Sequence, residues 1–199
     1  MKIGIFGGSF NPIHNGHLNL CYQCNKIFNF DEILLIPTNI PPHKSNAQFI
    51  SNSHRINMIN LAIENQALIK SSEIEFQLGG TSYTYNTIIA LKKIYPIDTE
   101  FYFLIGSDML EIFDKWYKYK ELLKLIKIVV GARKKEEYAK LIKIKSEKYN
   151  NNDSIIIANI NVCEVSSTRV RSEIKGKNDT TELLPIKVKE YIEQNRLYL

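Results

Sequence analysis

Two histidines stand three residues apart shortly after the first apolar run of the chain. The run Ile3–Phe6 leads into the stretch GGSFNPIHNGH, which begins with Gly7 and Gly8 and contains His14 and His17. Glycines at a strand end let a ligand approach the backbone amides, and the N-terminus of a following helix favours phosphate. Side chains three residues apart lie on the same face of a helix, so both imidazoles can point at one anion. The stretch predicts a cradle for a polyphosphate, and core packing or helix capping is the alternative role for the histidines.

A second group of anion-binding residue types lies near the C-terminus. Ser166, Ser167, Thr168 and Arg169 stand at the start of a predicted helix over Ser167–Lys175. Hydroxyl groups, free backbone amides and a guanidinium at one helix start can converge on a single anion. An ordinary N-cap with surface arginines is the alternative.

Three cysteines allow two interpretations. Cys21 and Cys24 have the spacing of a redox or zinc pair, with His14 and His17 as further ligands, whereas Cys163 stands alone. The same spacing places both cysteines beside a helical stripe that faces a sheet, where they act as small hydrophobic residues. We favour packing over a metal site formed by these cysteines and histidines.

Short β-rich runs alternate with amphipathic helical patterns, which predicts a Rossmann-like, doubly wound α/β fold with a mainly parallel sheet and helices on both faces. We expect one domain over residues 1–199 with a helical portion from about 167. The predicted strands are Ile3–Phe6, Ile33–Ile36, Ile74–Phe76, Phe101–Ile105, Ile126–Val130 and Ile155–Ile157. The predicted helices are Gly16–Phe28, Ser53–Asn65, Tyr85–Tyr95, Asp108–Phe113, Lys118–Lys124, Lys135–Lys148, Ser167–Lys175 and Ile186–Asn195.

Composition narrows the class of protein. The chain has 199 residues and a net charge of +5, and it contains neither a signal-peptide pattern nor an apolar run of membrane-spanning length. We therefore expect a cytoplasmic protein without a membrane partner. Residues 133–148 hold seven basic and three acidic residues, a balance of +4. Alternating Lys and Glu on a helix indicates a solvated face, so no nucleic-acid partner is expected.

The motif HNGH resembles the H-x-G-H signature of the nucleotidylyltransferase superfamily, and GGSFNPIHNGH resembles the first motif of the bacterial nicotinate mononucleotide adenylyltransferases. Further segments match that family in order along almost the whole chain. They are Pro41-Pro42-His43-Lys44, Ser82-Tyr83-Thr84, Ile105-Gly106-Ser107-Asp108, Trp116-Tyr117, Gly131-Ala132-Arg133 and Val165-Ser166-Ser167-Thr168-Arg169-Val170-Arg171. Each segment alone is weak evidence for the family, but six matching segments in the same order are highly specific for it.

The resemblance implies transfer of AMP from ATP to nicotinate mononucleotide, giving deamido-NAD and pyrophosphate in NAD biosynthesis. It implies Mg²⁺ as cofactor with ATP, small-molecule substrates as partners, and a homodimer as one oligomeric state. The implied catalytic residues are His14, His17, Lys44 and Arg169. The implied ATP-binding residues are Gly7, Gly8, Ser9, Phe10, His14, His17, Gly106, Asp108, Ser166, Ser167, Thr168 and Arg169. The implied residues for nicotinate mononucleotide are Asn39, His43, Lys44, Ser82, Tyr83, Thr84, Trp116, Tyr117 and Arg133.

One position departs from the family pattern, because Asn11 stands where an aspartate is more common. We expect the change to be tolerated, since either side chain accepts backbone hydrogen bonds in a turn. The nearest alternative function is transfer of AMP to phosphopantetheine or of CMP to an alcohol phosphate. A nucleotide-binding regulator and an RNA-binding module are alternatives from other classes.

Overall fold

One sheet of six parallel strands runs through the computed structural model, which describes residues 1–42, 49–132, 135–160, 163 and 165–199. The strand order is β3-β2-β1-β4-β5-β6, the order of a doubly wound Rossmann-like sheet. The strands are β1 (Lys2–Gly8), β2 (Glu32–Pro37), β3 (Ile69–Ser71), β4 (Glu100–Gly106), β5 (Lys127–Ala132) and β6 (Ile155–Asn159). The predicted fold class is confirmed.

Helices connect the strands and cover both faces of the sheet. They are α1 (Asn15–Phe28), α2 (Asn52–Ile63), α3 (Ile74–Leu78), α4 (Thr84–Ile94), α5 (Ser107–Ile112), α6 (Tyr119–Leu125), α7 (Lys135–Tyr149), α8 (Ser167–Lys175) and α9 (Ile186–Gln194), with a 3₁₀ turn at Phe113–Lys115. All eight predicted helices are present, and their bounds differ from the predicted ones by no more than two residues. None of the helices in the described residues is long and apolar enough to cross a membrane.

Two hydrophobic cores lie on opposite faces of the sheet. In β2, Ile33 and Leu35 join one core, whereas Leu34 and Ile36 join the other, because successive strand side chains point to opposite faces. The first core also contains Cys21 and Cys24, which are buried free thiols. Burial raises the pKa of Cys24 to about 12. Both cysteines therefore occupy the packing positions that the helical stripe indicated.

The predicted third strand at Ile74–Phe76 is wrong, because these residues form helix α3. The third strand is Ile69–Ser71, which has one fully buried side chain and gives little period-2 signal. Glu75 is buried and accepts a hydrogen bond from the Thr87 hydroxyl at 2.7 Å. A tertiary contact of this kind overrides the local β preference of the apolar run.

The order of the sheet reverses between β1 and β4, which lie side by side although they are distant in sequence. In such sheets ligands bind beyond the carboxyl ends of the strands at this crevice. Gly8 ends β1 and Gly106 ends β4. The fold therefore brings the HNGH segment and the IGSD segment to the same edge.

Candidate active site

The two histidines form a stacked pair at the N-terminus of α1. His14 is the N-cap residue, and its ring lies 3.6 Å from the ring of His17, centre to centre, at an interplanar angle of 18°. The backbone N–H of His14 donates to Nδ1 of His17 at 3.2 Å. Because Nδ1 of His17 accepts this bond, the proton of the neutral ring is on Nε2. His17 therefore caps the helix with one nitrogen and offers the other as a donor.

Both imidazoles are neutral near pH 7. Burial lowers the pKa of His14 to about 4. Burial, together with the neighbouring His14, lowers the pKa of His17 well below its ordinary value. Within the described residues Nδ1 of His14 is buried without a hydrogen-bond partner, so a proton on that atom would be an unpaired buried donor. The pair thus presents two Nε2–H groups, which suit a phosphate through hydrogen bonding.

The glycine between the histidines lies in a tightly packed space. A Cβ atom on Gly16 would lie 3.1 Å from Nδ1 of His14 and 3.2 Å from the carbonyl oxygen of Cys163. A side chain at this position would therefore need the His14 ring or the Cys163 backbone to shift slightly. The contact explains in physical terms why the two histidines are separated by x-Gly.

Gly7 and Gly8 lie against aromatic rings, and one of these rings packs against His17. A Cβ atom on Gly7 would lie 2.9 Å from the Phe103 ring, and one on Gly8 would lie 3.3 Å from the Phe10 ring. Phe10 is fully buried, with its ring 5.0 Å from that of His17. Phe10 thus packs against His17, and the binding of ATP by Gly7, Gly8 and Phe10 stays a prediction.

The start of α8 forms a second wall opposite the histidines. Ser166 caps this helix by accepting from the backbone N–H of Arg169. The Ser167 hydroxyl donates to the carbonyl oxygen of Pro12 at 2.9 Å, which ties α8 to the loop that precedes α1. Two helix N-termini therefore meet at one cleft, where their partial positive charges favour an anion.

The cleft between these walls has a volume of about 700 Å³, within the usual range for small-molecule sites. Gly106 and Asp108 close it from the end of β4, and Ser9 lines it from the end of β1. The structure therefore brings one set of predicted ATP-binding residues together around a single cavity. This set is Ser9, His14, His17, Gly106, Asp108, Ser166, Ser167 and Thr168.

The residues predicted for the second substrate form a separate group. Asn39 and Ser82 are neighbours, because the backbone N–H of Asn39 donates to the Ser82 hydroxyl at 2.9 Å. The rings of Tyr83 and Tyr117 are 4.8 Å apart, centre to centre, and Tyr117 is 44% exposed. Thr84 begins α4 directly after Tyr83.

Trp116 lies between this aromatic group and the core. Its ring is 5.9 Å from that of Phe103 and 5.2 Å from that of Phe113. Phe103 in turn covers Gly7 at the end of β1, so the two groups of predicted site residues adjoin through one phenylalanine. Three further predicted residues, His43, Lys44 and Arg133, lie outside the described residues.

Comparison with known proteins identifies the family. Residues 5–173 match the cytidylyltransferase-like family model. The nicotinate-nucleotide adenylyltransferase of Bacillus subtilis (strain 168) is 40% identical over 197 residues, covering 99% of this chain and 98% of that protein. The chain belongs to the nicotinate-nucleotide adenylyltransferase family. Two structures of Plasmodium falciparum nicotinic acid mononucleotide adenylyltransferase, complexed with NaAD and with APC, share its fold. Both have a TM-score of 0.76, with 23% and 21% identity, and cover 99% of this chain and 97% and 96% of theirs.

In this member of the nicotinate-nucleotide adenylyltransferase family, Arg171 lines the cleft, and sequence reasoning did not select it. Its guanidinium donates to the carbonyl oxygen of Asn11 at 2.8 Å and to the Thr168 hydroxyl at 3.4 Å. The Arg169 side chain is 57% exposed and lies 3.9 Å from Glu173. Thr168 and Arg171 are three residues apart and lie on one helix face. This spacing is the sequence feature that could have predicted Arg171 as a cleft residue.

The buried side chain of Asn11 marks the point where this adenylyltransferase departs from the family pattern. Its Oδ1 accepts a hydrogen bond from the Tyr198 hydroxyl at 2.9 Å. Burial raises the pKa of Tyr198, so the hydroxyl stays protonated and donates. A neutral amide oxygen accepts this bond as a carboxylate would. The C-terminal segment thus reaches the loop that carries His14.

Proposed function

We propose that this chain transfers the AMP group of ATP to nicotinate mononucleotide, producing deamido-NAD and pyrophosphate for NAD biosynthesis. The observation that carries the proposal is the stacked His14–His17 pair, which faces the N-terminus of α8 across one cleft. Homologues named for this reaction match the chain over nearly its whole length.

The reaction needs positioning more than side-chain nucleophiles. The phosphate of the mononucleotide is ionised at neutral pH and attacks the α-phosphorus of ATP. The bond between that phosphorus and the oxygen bridging to the β-phosphate breaks, and pyrophosphate leaves with the electron pair. Catalysis then depends on in-line alignment and on donors aimed at the developing charge.

We assign the donors of the cleft to the ATP phosphates. His14 and His17 contribute neutral Nε2–H groups, and Thr168 and Arg171 contribute a hydroxyl and a permanently charged guanidinium. The resemblance adds Lys44. Ser9, Gly106 and Asp108 are assigned to the nucleotide because they border the same cavity.

The residues present fit a Mg²⁺ ion that arrives with ATP. Mg²⁺ is commonly held by one or two carboxylates together with substrate phosphates and water. Asp108 supplies a carboxylate at the cleft, and within the described residues there is no cluster of three or more metal-ligating side chains. Asp108 would therefore hold the ion jointly with the phosphates, and the bound ion would neutralise charge on their oxygens.

We assign the nicotinate mononucleotide to the group around Asn39, Ser82, Tyr83, Thr84, Trp116 and Tyr117, with His43, Lys44 and Arg133 added by resemblance. Trp116 offers a face for stacking on the pyridine ring. A carboxylate accepts hydrogen bonds only, whereas an amide also donates. By resemblance, the carboxylate meets only N–H donors, from the backbone near Tyr117 and from Arg133, and such a pocket favours the acid. Homodimer formation and a cytoplasmic location remain predictions from the sequence.

Pyrophosphate release tests the proposal. With ATP and Mg²⁺, we expect nicotinate mononucleotide to support turnover and nicotinamide mononucleotide to give a kcat/KM at least about tenfold lower, the cost of about one mismatched hydrogen bond. The control omits the mononucleotide and measures ATP hydrolysis alone. Equal rates with both mononucleotides would contradict the donor-only pocket, and no release with either would contradict the function.

A further inference from the structure

A fully buried arginine lies between the two groups of site residues. Arg55 in α2 is 2% exposed. Its guanidinium carbon lies 5.3 Å from the centre of the Phe76 ring and 5.8 Å from that of the Phe49 ring. Within the described residues it has no ion-pair contact, although the charge of the buried Glu75 acts on it, and its Nε has no hydrogen-bond partner. A buried charge destabilises a fold unless its contacts compensate for the loss of water, so the hydrogen bonds of Arg55 indicate its role.

The guanidinium joins two segments that the sequence keeps apart. One terminal nitrogen donates to the carbonyl oxygen of Ser9 at 2.9 Å, and Ser9 lines the ATP cleft. The other donates to Oδ1 of Asn52. A planar guanidinium serves two acceptors at a fixed separation, which an ammonium group does not. Arg55 therefore fixes the position of Asn52 relative to Ser9, at the end of β1.

Asn52 also forms a hydrogen bond to Asn39, which belongs to the group predicted to bind nicotinate mononucleotide. Its Nδ2 donates to Oδ1 of Asn39 at 2.9 Å. The Nδ2 of Asn39 donates to the carbonyl oxygen of Gly80 at 3.0 Å, and its backbone N–H donates to the Ser82 hydroxyl. A continuous line of hydrogen bonds thus runs from Ser9 to Ser82 through two side chains of α2.

We propose that Arg55 and Asn52 are positioning residues that set Asn39, and with it the mononucleotide-binding group, at a fixed distance from the ATP phosphates. This inference rests on the proposed function. It predicts that loss of the hydrogen bond between Asn52 and Asn39 raises the KM for the mononucleotide alone. A change at Arg55 is expected to raise the KM for both substrates.

Asn52→Asp breaks the line at one bond. The new carboxylate still accepts from Arg55 but no longer donates to Asn39. Asn52 is the first residue of α2, with Ser51 as its N-cap, and an acidic residue in the first turn suits the helix dipole, so the variant keeps its fold. We expect the KM for nicotinate mononucleotide to rise about 5- to 10-fold, the effect of one hydrogen bond, while the KM for ATP stays within about twofold.

Arg55→Lys is the companion variant. It keeps the positive charge but reaches one acceptor instead of two, so we expect both KM values to rise. Circular dichroism and urea unfolding of each variant check that the fold is retained. If Asn52→Asp raises both KM values equally, or neither, the positioning role is overturned. Turnover by the wild type under the same conditions separates this outcome from failure of the proposed function.

Discussion

His17→Ala lowers kcat for pyrophosphate release by at least about 10²-fold, the usual effect of removing one donor aimed at transition-state charge. His17 is half-buried, and the backbone of His14 fixes its Nδ1, so its ring cannot turn away. Its Nε2–H is therefore set before ATP binds. The measurement is steady-state kinetics with ATP and nicotinate mononucleotide, each varied in turn.

The alanine variant also loses the helix cap, so a matched variant is needed. His17→Gln keeps an acceptor for the His14 backbone, because glutamine at this helical position is a capping residue, and it offers an amide N–H toward the cleft. We expect the glutamine variant to unfold at the urea concentration of the wild type and to retain more activity than the alanine variant. Wild-type turnover by His17→Ala would contradict the assignment of this residue to the phosphates.

Arg171→Ala lowers kcat/KM for ATP by about 10²-fold, because it removes a charged donor from the cleft. It also removes the hydrogen bond to the carbonyl oxygen of Asn11, which loosens the loop that carries His14. Arg171→Lys keeps the charge without the two-pronged geometry, so we expect it to recover only part of the loss. Initial rates over a range of ATP concentrations measure the effect.

Arg169→Ala is the comparison that decides between the two arginines of α8. Its side chain is exposed and makes one long ion pair with Glu173, a contact that contributes little to stability. We expect the rate of this variant to stay within about threefold of the wild type. A loss in Arg169→Ala equal to that in Arg171→Ala would support the predicted role of Arg169 and contradict the preference for Arg171.

The parts of the site at strand and helix ends could be predicted from sequence. The glycines at the end of β1, the H-x-x-H spacing and the serines at the start of α8 are local signals, and all three lie at the ends of strands or helices. Arg171 could also have been selected from sequence, because the family pattern ISST-x-IR leaves the position of Arg169 variable and has its arginine at the position of Arg171. The 100° turn per residue places Thr168 and Arg171 on one side of the helix.

The parts that depend on packing could not be predicted. In the sequence Arg55 resembles a solvent-facing arginine of an amphipathic helix. It is buried because Phe49, Phe76 and the Ser9 carbonyl converge on it from three separate segments. The packing of the Phe103 ring against Gly7 in β1 is a contact of the same kind. Contacts between distant segments carry no local sequence signal.

The most direct test of the proposed reaction follows the phosphorus atoms of ATP. The protein is incubated with Mg²⁺, nicotinate mononucleotide and ATP that is radiolabelled at either the α- or the γ-phosphate, and the products are separated by chromatography. Attack on the α-phosphorus predicts that the α-label enters the dinucleotide and that the γ-label leaves in pyrophosphate. Transfer of the γ-label to the mononucleotide, or release of labelled inorganic phosphate from the γ-position, would contradict it.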